Sequence, residues 1–195
     1  MIAESPSTHL SPLQSLTALI TVLLPAGLFG STLSSIKDSS TSPIQNSAAL
    51  IALRGSLVID GPSGRRQVDA DSFFTGFLET ALSEEEMLVE VRVPKMPEST
   101  WSFQKFNRRA QDWAIVGSAV VINNDSCGVG LVNMDSRPIR ASAVEEAISN
   151  GASATEASEL AAEGCEPPAD INAGVDYRRH LARVLTRRGL EESGR

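Results

Sequence analysis

Cysteine and histidine are scarce, two of each in 195 residues. Cys127 and Cys165 have no second cysteine or histidine at ligand spacing, which excludes a zinc or iron–sulfur site readable as a motif. Two isolated thiols fit a reducing, cytoplasmic setting, each as a small buried apolar residue and not as half of a disulfide. His180 lies among arginines on a predicted helix and reads as solvated or capping, not catalytic. The chain also lacks G-x-S-x-G, H-E-x-x-H and P-loop motifs, so neither a hydrolase nor a metalloenzyme is indicated. Gly128-Val129-Gly130 opens like a dinucleotide fingerprint, but Asn133 stands at the third glycine position and no helix follows, so it predicts a turn into a strand. A surplus of basic charge is missing as well. The net charge of −7 disfavours nucleic acid and anionic membrane as main partners.

Charge of either sign is absent from residues 5–36, where Leu16 to Phe29 is a nearly continuous apolar run interrupted by Pro25 and Gly27. The run is shorter than the roughly 20 residues that span a bilayer, and Glu4 without a preceding Lys or Arg is unlike a secretory leader, so no membrane span is predicted. Ser31 to Ser47 is dominated by Ser and Thr and reads as linker. These features make residues 1–47 an atypical, poorly ordered segment, with order beginning near Ala48.

What is present is ordinary for a globular protein, 42% apolar and 21% charged, enough for two small units. Leu50 to Ile59 gives two apolar pieces around Arg54 and Gly55, and Asp60-Gly61-Pro62-Ser63-Gly64 supplies a turn, which together suggest strand, turn, strand. Met87 to Val93 alternates, with Leu88, Glu90 and Arg92 against Met87, Val89, Val91 and Val93, as a strand closed by Pro94 and Pro97. A boundary there divides 48–97 from 98–195. Trp101 to Phe106, Ala114 to Ile122 and Gly128 to Met134 then predict an antiparallel meander, turned at Asn123-Asn124-Asp125. Ser142 with Glu145, and Ser153 with Glu156, have capping-box spacing at the starts of two helices. A last helix, about Val175 to Glu192, sets Tyr177, Leu181, Val184 and Leu185 on an apolar face ringed by Arg178, Arg179, Arg183, Arg187 and Arg188. The fold class is α+β, with helices on one side of a small antiparallel sheet.

The unusual stretch runs from Phe103 to Ala114. Alternation puts Phe103 and Lys105 on one face of a strand, and Arg108-Arg109 followed by Asp112 could orient an anionic or redox cofactor by charge-assisted hydrogen bonds. A surface Arg–Asp cluster at a strand end is the plainer alternative.

These residues also carry a family resemblance. Phe103, Lys105, Arg109, Asp112 and Ala114 write Phe-x-Lys-x-x-x-Arg-x-x-Asp-x-Ala, which resembles the opening of the C-terminal domain in flavoprotein subunits of carbon monoxide dehydrogenase and its relatives. Asp71 to Leu82 and Glu86 to Pro94 resemble the end of that family's FAD-binding (PCMH-type) lobe. Asn133 to Arg140, Pro167 to Asp170 and Tyr177 to Leu185 resemble the remainder. The likeness runs from Ala48 to the C-terminus.

The resemblance implies the FAD-binding medium subunit of a molybdenum hydroxylase of the xanthine dehydrogenase type. In such enzymes a large subunit holds the molybdenum cofactor, a small subunit carries [2Fe-2S] clusters, and electrons leave through the flavin. It implies FAD as cofactor, with Leu88 packing near it, Gln104 or Lys105 at the strand position that approaches it, and Arg109 and Asp112 beside it. No residue is assigned a catalytic or metal-binding role. Residues 1–47 lack the Ala-Gly-Gly and Thr-Ile-Gly-Gly segments whose backbone N–H groups cradle the FAD pyrophosphate in the family. The expectation is therefore weak or no FAD binding by this chain, as from a truncated or split reading frame. The alternative is a non-catalytic remnant that docks on partner subunits.

Overall fold

The computed structural model describes residues 43–109, 112–124 and 126–195. The expectations for Leu16 to Phe29 and for the Ser/Thr-rich linker up to residue 42 lie outside them, while residues 43–47, read as the end of that linker, are helical.

The first element is a helix, α1 (Pro43–Ala52), where the apolar run through Leu50 to Leu53 suggested a strand. A short apolar run does not by itself separate helix from strand. Here Ala48, Ala49, Leu50, Ala52 and their neighbours are strong helix formers, and proline suits a first helical position. The helix stops at Arg54, whose φ of 52° breaks the α conformation. The Gly55 N–H returns to the Leu50 carbonyl at 2.9 Å.

Strand β1 (Ser56–Gly61) follows and pairs antiparallel with β2 (Gly64–Asp69) through the predicted turn. After the short helix α2 (Ala70–Phe73) and the small hairpin of β3 (Phe74–Gly76) and β4 (Glu79–Thr80), β5 (Met87–Arg92) joins the far edge of β1. The three-stranded order is β2-β1-β5. The alternation predicted for β5 is broken. Val58 faces Glu90 while Ile59 faces Leu88, so Val89 is an extra residue in a bulge. Leu88 and Val91 are the buried pair, and Glu90 and Arg92 turn outward.

The second sheet holds β6 (Thr100–Phe106), β7 (Val116–Asn123), β8 (Ser126–Val132) and β9 (Ile139–Arg140) in that order, all antiparallel. The meander is thus as predicted, with one short strand more. Val116 to Ile122 are buried on both faces of β7, as an inner strand between two layers should be. One face packs Val116, Val120, Val129 and Leu131 under α3 (Ser142–Ser149), α4 (Ala154–Ser158), a 3₁₀ turn (Glu159–Ala162) and α5 (Val175–Glu192). The other face gathers Ala119, Val121 and Val132 under Ala48 and Ala52 of α1. Helices therefore cover both sides of this sheet, because α1 supplies the second layer.

Gly128 and Gly130 explain how α1 comes so close. A Cβ at Gly128 would stand 2.0 Å from the Ala52 carbonyl oxygen, and one at Gly130 would stand 2.1 Å from that of Ala48. Instead of forming a turn into a strand, Gly-Val-Gly lies inside β8 and lets the helix backbone rest on the sheet.

Ser153 caps α4 as predicted. Its Oγ accepts the Glu156 N–H at 3.3 Å, and Glu156 Oε2 accepts the Ser153 N–H at 2.9 Å. Ser142 does not cap α3. It is the first helical residue, the cap position falls on Ala141, and Glu145 turns inward to 5% exposure. Helix α5 has the predicted bounds but a rotated face. Leu181, Ala182, Leu185, Thr186, Gly189 and Leu190 are buried together with Arg178, while Tyr177 is 45% exposed. Small residues let α5 sit low on β7, where Thr186 Oγ1 lies 3.0 Å from Ser118 Oγ. Cys127 and Cys165 are free and buried.

Candidate functional site

The motif stretch forms the end of β6 and the corner into β7. Phe106 accepts the Ile115 N–H at 2.7 Å, and Arg109 accepts the Asp112 N–H at 3.0 Å. The Asn107 side-chain amide donates to the same Arg109 carbonyl. Arg109 and Asp112 are both exposed, and they are joined through the backbone of this turn, not by an ion pair between their side chains. Arg178, read from the sequence as one of the basic residues around the apolar face of α5, is buried and backs the corner. Arg178, 3% exposed, donates to the Ile115 carbonyl and to Asp170 Oδ2, the latter at 2.7 Å. Asp170 also accepts the N–H groups of Asn172 at 2.8 Å and Ala173 at 2.9 Å. The Ala173 and Asn172 N–H groups, then Arg178, hold its carboxyl below the usual range. Asn133 donates to the Ala114 carbonyl from the other side, and Arg108 reaches Asn172 Oδ1 at 3.1 Å.

Gln104 and Lys105 are neighbours that take opposite faces. Gln104 Nε2 donates to Glu192 Oε2 at 2.5 Å and to Ser102 Oγ at 3.0 Å, so Gln104 belongs to the face covered by α5. Lys105 shares its face with Phe103, which packs on the cluster of Ala48, Ala119 and Val132. It is half-buried and stands in register with Gly117, a position with no side chain. Leu88 stands on the other sheet, buried beside Ile59. The five predicted residues thus divide into Gln104 and Lys105 on β6, Arg109 and Asp112 at its corner, and Leu88 on β5.

One cluster was not read from the sequence. The buried carboxylate of Glu145 accepts Arg140 Nε at 2.9 and 2.8 Å, the Val129 N–H at 2.9 Å and Arg54 Nη2 at 3.5 Å. Asp71 Oδ2 lies 3.4 Å from Arg140 Nη1. Arg54, Asp71 and Arg140, with Gly55, Asp69 and Ala70, line a cleft of about 210 Å³. Glu145 raises the pKa of Arg140, first through their hydrogen bonds. In the sequence Glu145 reads as half of a capping box with Ser142, and Arg54 is too distant to signal a pairing. Arg137, which reads as a plain loop cation, donates to the Asp71 and Phe74 carbonyls at 3.0 and 3.2 Å.

Among the described residues, no group of His, Cys, Asp or Glu side chains is disposed to hold a metal ion, and no helix is long and apolar enough to cross a membrane.

Comparison with known proteins places both parts. Residues 39–96 match the FAD binding domain in molybdopterin dehydrogenase, and residues 101–193 match the CO dehydrogenase flavoprotein C-terminal domain. The carbon monoxide dehydrogenase medium chain of Hydrogenophaga pseudoflava is 34% identical over 153 residues, covering 73% of this chain and 53% of that one. The nicotine 6-hydroxylase medium subunit of Paenarthrobacter nicotinovorans is 29% identical over 154 residues, 74% of this chain and 54% of that one. Among solved structures, carbon monoxide dehydrogenase from Hydrogenophaga pseudoflava lacking the Mo-pyranopterin moiety superposes with a TM-score of 0.70 at 34% identity, covering 75% of this chain and 55% of that one. Quinoline 2-oxidoreductase from Pseudomonas putida 86 gives 0.67 at 27% identity, covering 80% and 56%. This chain spans about half the length of the curated relatives it matches. With two adjoining family models matched in order over most of its described length, the chain belongs to the family of FAD-binding medium subunits of molybdenum hydroxylases, of which it carries the C-terminal part.

Proposed function

We propose that this chain serves as the C-terminal part of a cytoplasmic flavoprotein subunit that passes electrons from the iron–sulfur clusters of a small partner subunit, through FAD, to an acceptor. The large partner carries the molybdenum cofactor. The observation that supports this most is the setting of Lys105, a half-buried cation on an edge strand, opposite Gly117, beside a corner backed by Arg178 and Asn133.

The residues present fit part of a flavin. FAD supplies the redox chemistry, exchanging electrons singly or in pairs. Lys105 would favour the anionic form of a reduced ring, Leu88 would keep water from its apolar edge, and Arg109 and Asp112 would orient polar groups nearby. Gln104, held by Glu192 on the opposite face of β6, is not a ligand in this reading. The pyrophosphate is less well served. Residues 1–47 carry neither of the family's glycine-rich segments, and backbone N–H donors of that kind are what bind such a group. This chain by itself therefore binds FAD weakly or not at all, and binding returns when the glycine-rich lobe of a related subunit is supplied. The second reading is a subunit-interaction domain without flavin.

Equilibrium titration with FAD, read by quenching of flavin fluorescence, separates the two. Binding only with the lobe present supports the flavoprotein. No binding with the lobe favours the interaction domain, and tight binding by the chain alone removes the argument from the glycines.

A further inference from the structure

The proposed site is split between two sheets, Leu88 on β5 and Lys105 on β6, joined in sequence only by the proline-punctuated linker of residues 93–99. Units joined by such a linker ordinarily shift against each other unless their interface is large. Here several features tie them together. Helix α1 runs directly into the three-stranded sheet, with the Gly55 carbonyl accepting the Ala70 N–H at 2.9 Å. Its own carbonyls at Ala48 and Ala52 lie on Gly130 and Gly128 of the four-stranded sheet, at a spacing no side chain on β8 would permit. Arg54, at the end of α1, reaches both the Cys127 carbonyl at 3.4 Å and Glu145 at 3.5 Å. Arg140 joins Glu145 to Asp71, and Arg137 holds the Asp71 and Phe74 carbonyls.

Glycine inside a strand gives up side-chain packing and costs backbone entropy, so a pair in β8 needs a reason, and backbone approach supplies one. A carboxylate buried like Glu145 needs its partners, because an unpaired buried charge is costly. We propose that Gly128, Gly130 and Glu145 are positioning residues of the flavin site: they lock the two sheets into one body and so fix Leu88 relative to Lys105. This rests on the flavin reading for its purpose, but the lock itself can be measured without flavin.

Nitroxide labels on Arg65→Cys in β2 and Glu146→Cys on α3 report the separation of the sheets by double electron–electron resonance. The native thiols are buried, Cys127 at 2% and Cys165 at 5% exposure, and the same variants without the two new cysteines, treated with label, control for any reaction at them. The labelled chain should give one narrow distance distribution. Gly130→Ala and Glu145→Gln should each broaden or shift it with the far-ultraviolet circular dichroism retained. Gly174→Ala, where a Cβ meets nothing within 4 Å, should not. A broad distribution in the parent, or an unchanged one in the variants, overturns the lock. If Gly130→Ala does not fold, Glu145→Gln decides. If the lock holds and the lobe-restored subunit still binds no FAD, the flavin assignment falls and the lock stands.

Discussion

Arg140 grips the buried carboxylate of Glu145, its Nε lying 2.9 Å from one oxygen and 2.8 Å from the other. Removing one partner of such a pair leaves an uncompensated charge inside the protein. Arg140→Ala should therefore cost about 3 kcal/mol, whereas Arg187→Ala, which breaks an exposed pair with Glu191 one helical turn away, should cost about 0.5 kcal/mol. Urea unfolding of both variants checks this. Equal and small losses would mean that Glu145 is solvated or satisfied by Arg54 and Val129 alone.

Glu86 sets an acid-side dependence. The hydrogen bond from Arg66, then the Ser83 N–H, draws its pKa from 4.5 down to about 2. A carboxylate with a depressed folded pKa stabilises the fold above its unfolded pKa, and that contribution fades as pH falls through the folded value. The urea midpoint of Glu86→Gln should thus lie below that of the parent at pH 7, and the gap should close between about pH 4.5 and 2. A gap that stays constant over that window would contradict the pairing.

The two predicted capping boxes should now behave differently. Ser153→Ala removes a side-chain acceptor that the Glu156 N–H uses, and should cost about 1 kcal/mol. Ser142→Ala lies inside α3, where alanine is the better helix former, and should be neutral or slightly stabilising. Thermal unfolding distinguishes them, and equal losses would restore Ser142 as a cap.

The contrast shows what could be read from residues alone. Helix α5 announced its bounds through an 18-residue amphipathic pattern, and the β-branched runs about Asn123 and Asn124 announced the meander. What stayed hidden depended on distant partners. Ser142 and Glu145 have perfect capping spacing, but Val129 and Arg140 compete for the carboxylate and win. Arg178 read as one of the arginines around the apolar face of α5, because nothing nearby in sequence names the Ile115 carbonyl as its acceptor. Helix α1 looked like a strand because the glycines that receive it lie in β8, far along the chain. At the candidate site, the stretch from Phe103 announced a strand and its corner. What each face of β6 meets was not legible, since the partner of Gln104, Glu192, lies far along the chain.

The most direct test uses the subunit with a related glycine-rich lobe restored, and measures its FAD dissociation constant beside those of Lys105→Ala and Arg188→Ala. Arg188 is exposed on α5 and controls for net charge. Loss of a charge-assisted contact of about 1.4 kcal/mol predicts roughly tenfold weaker FAD binding for Lys105→Ala and no change for Arg188→Ala. Equal affinities in all three proteins would remove Lys105 from the site, and no FAD binding by the restored subunit would contradict the flavoprotein account itself.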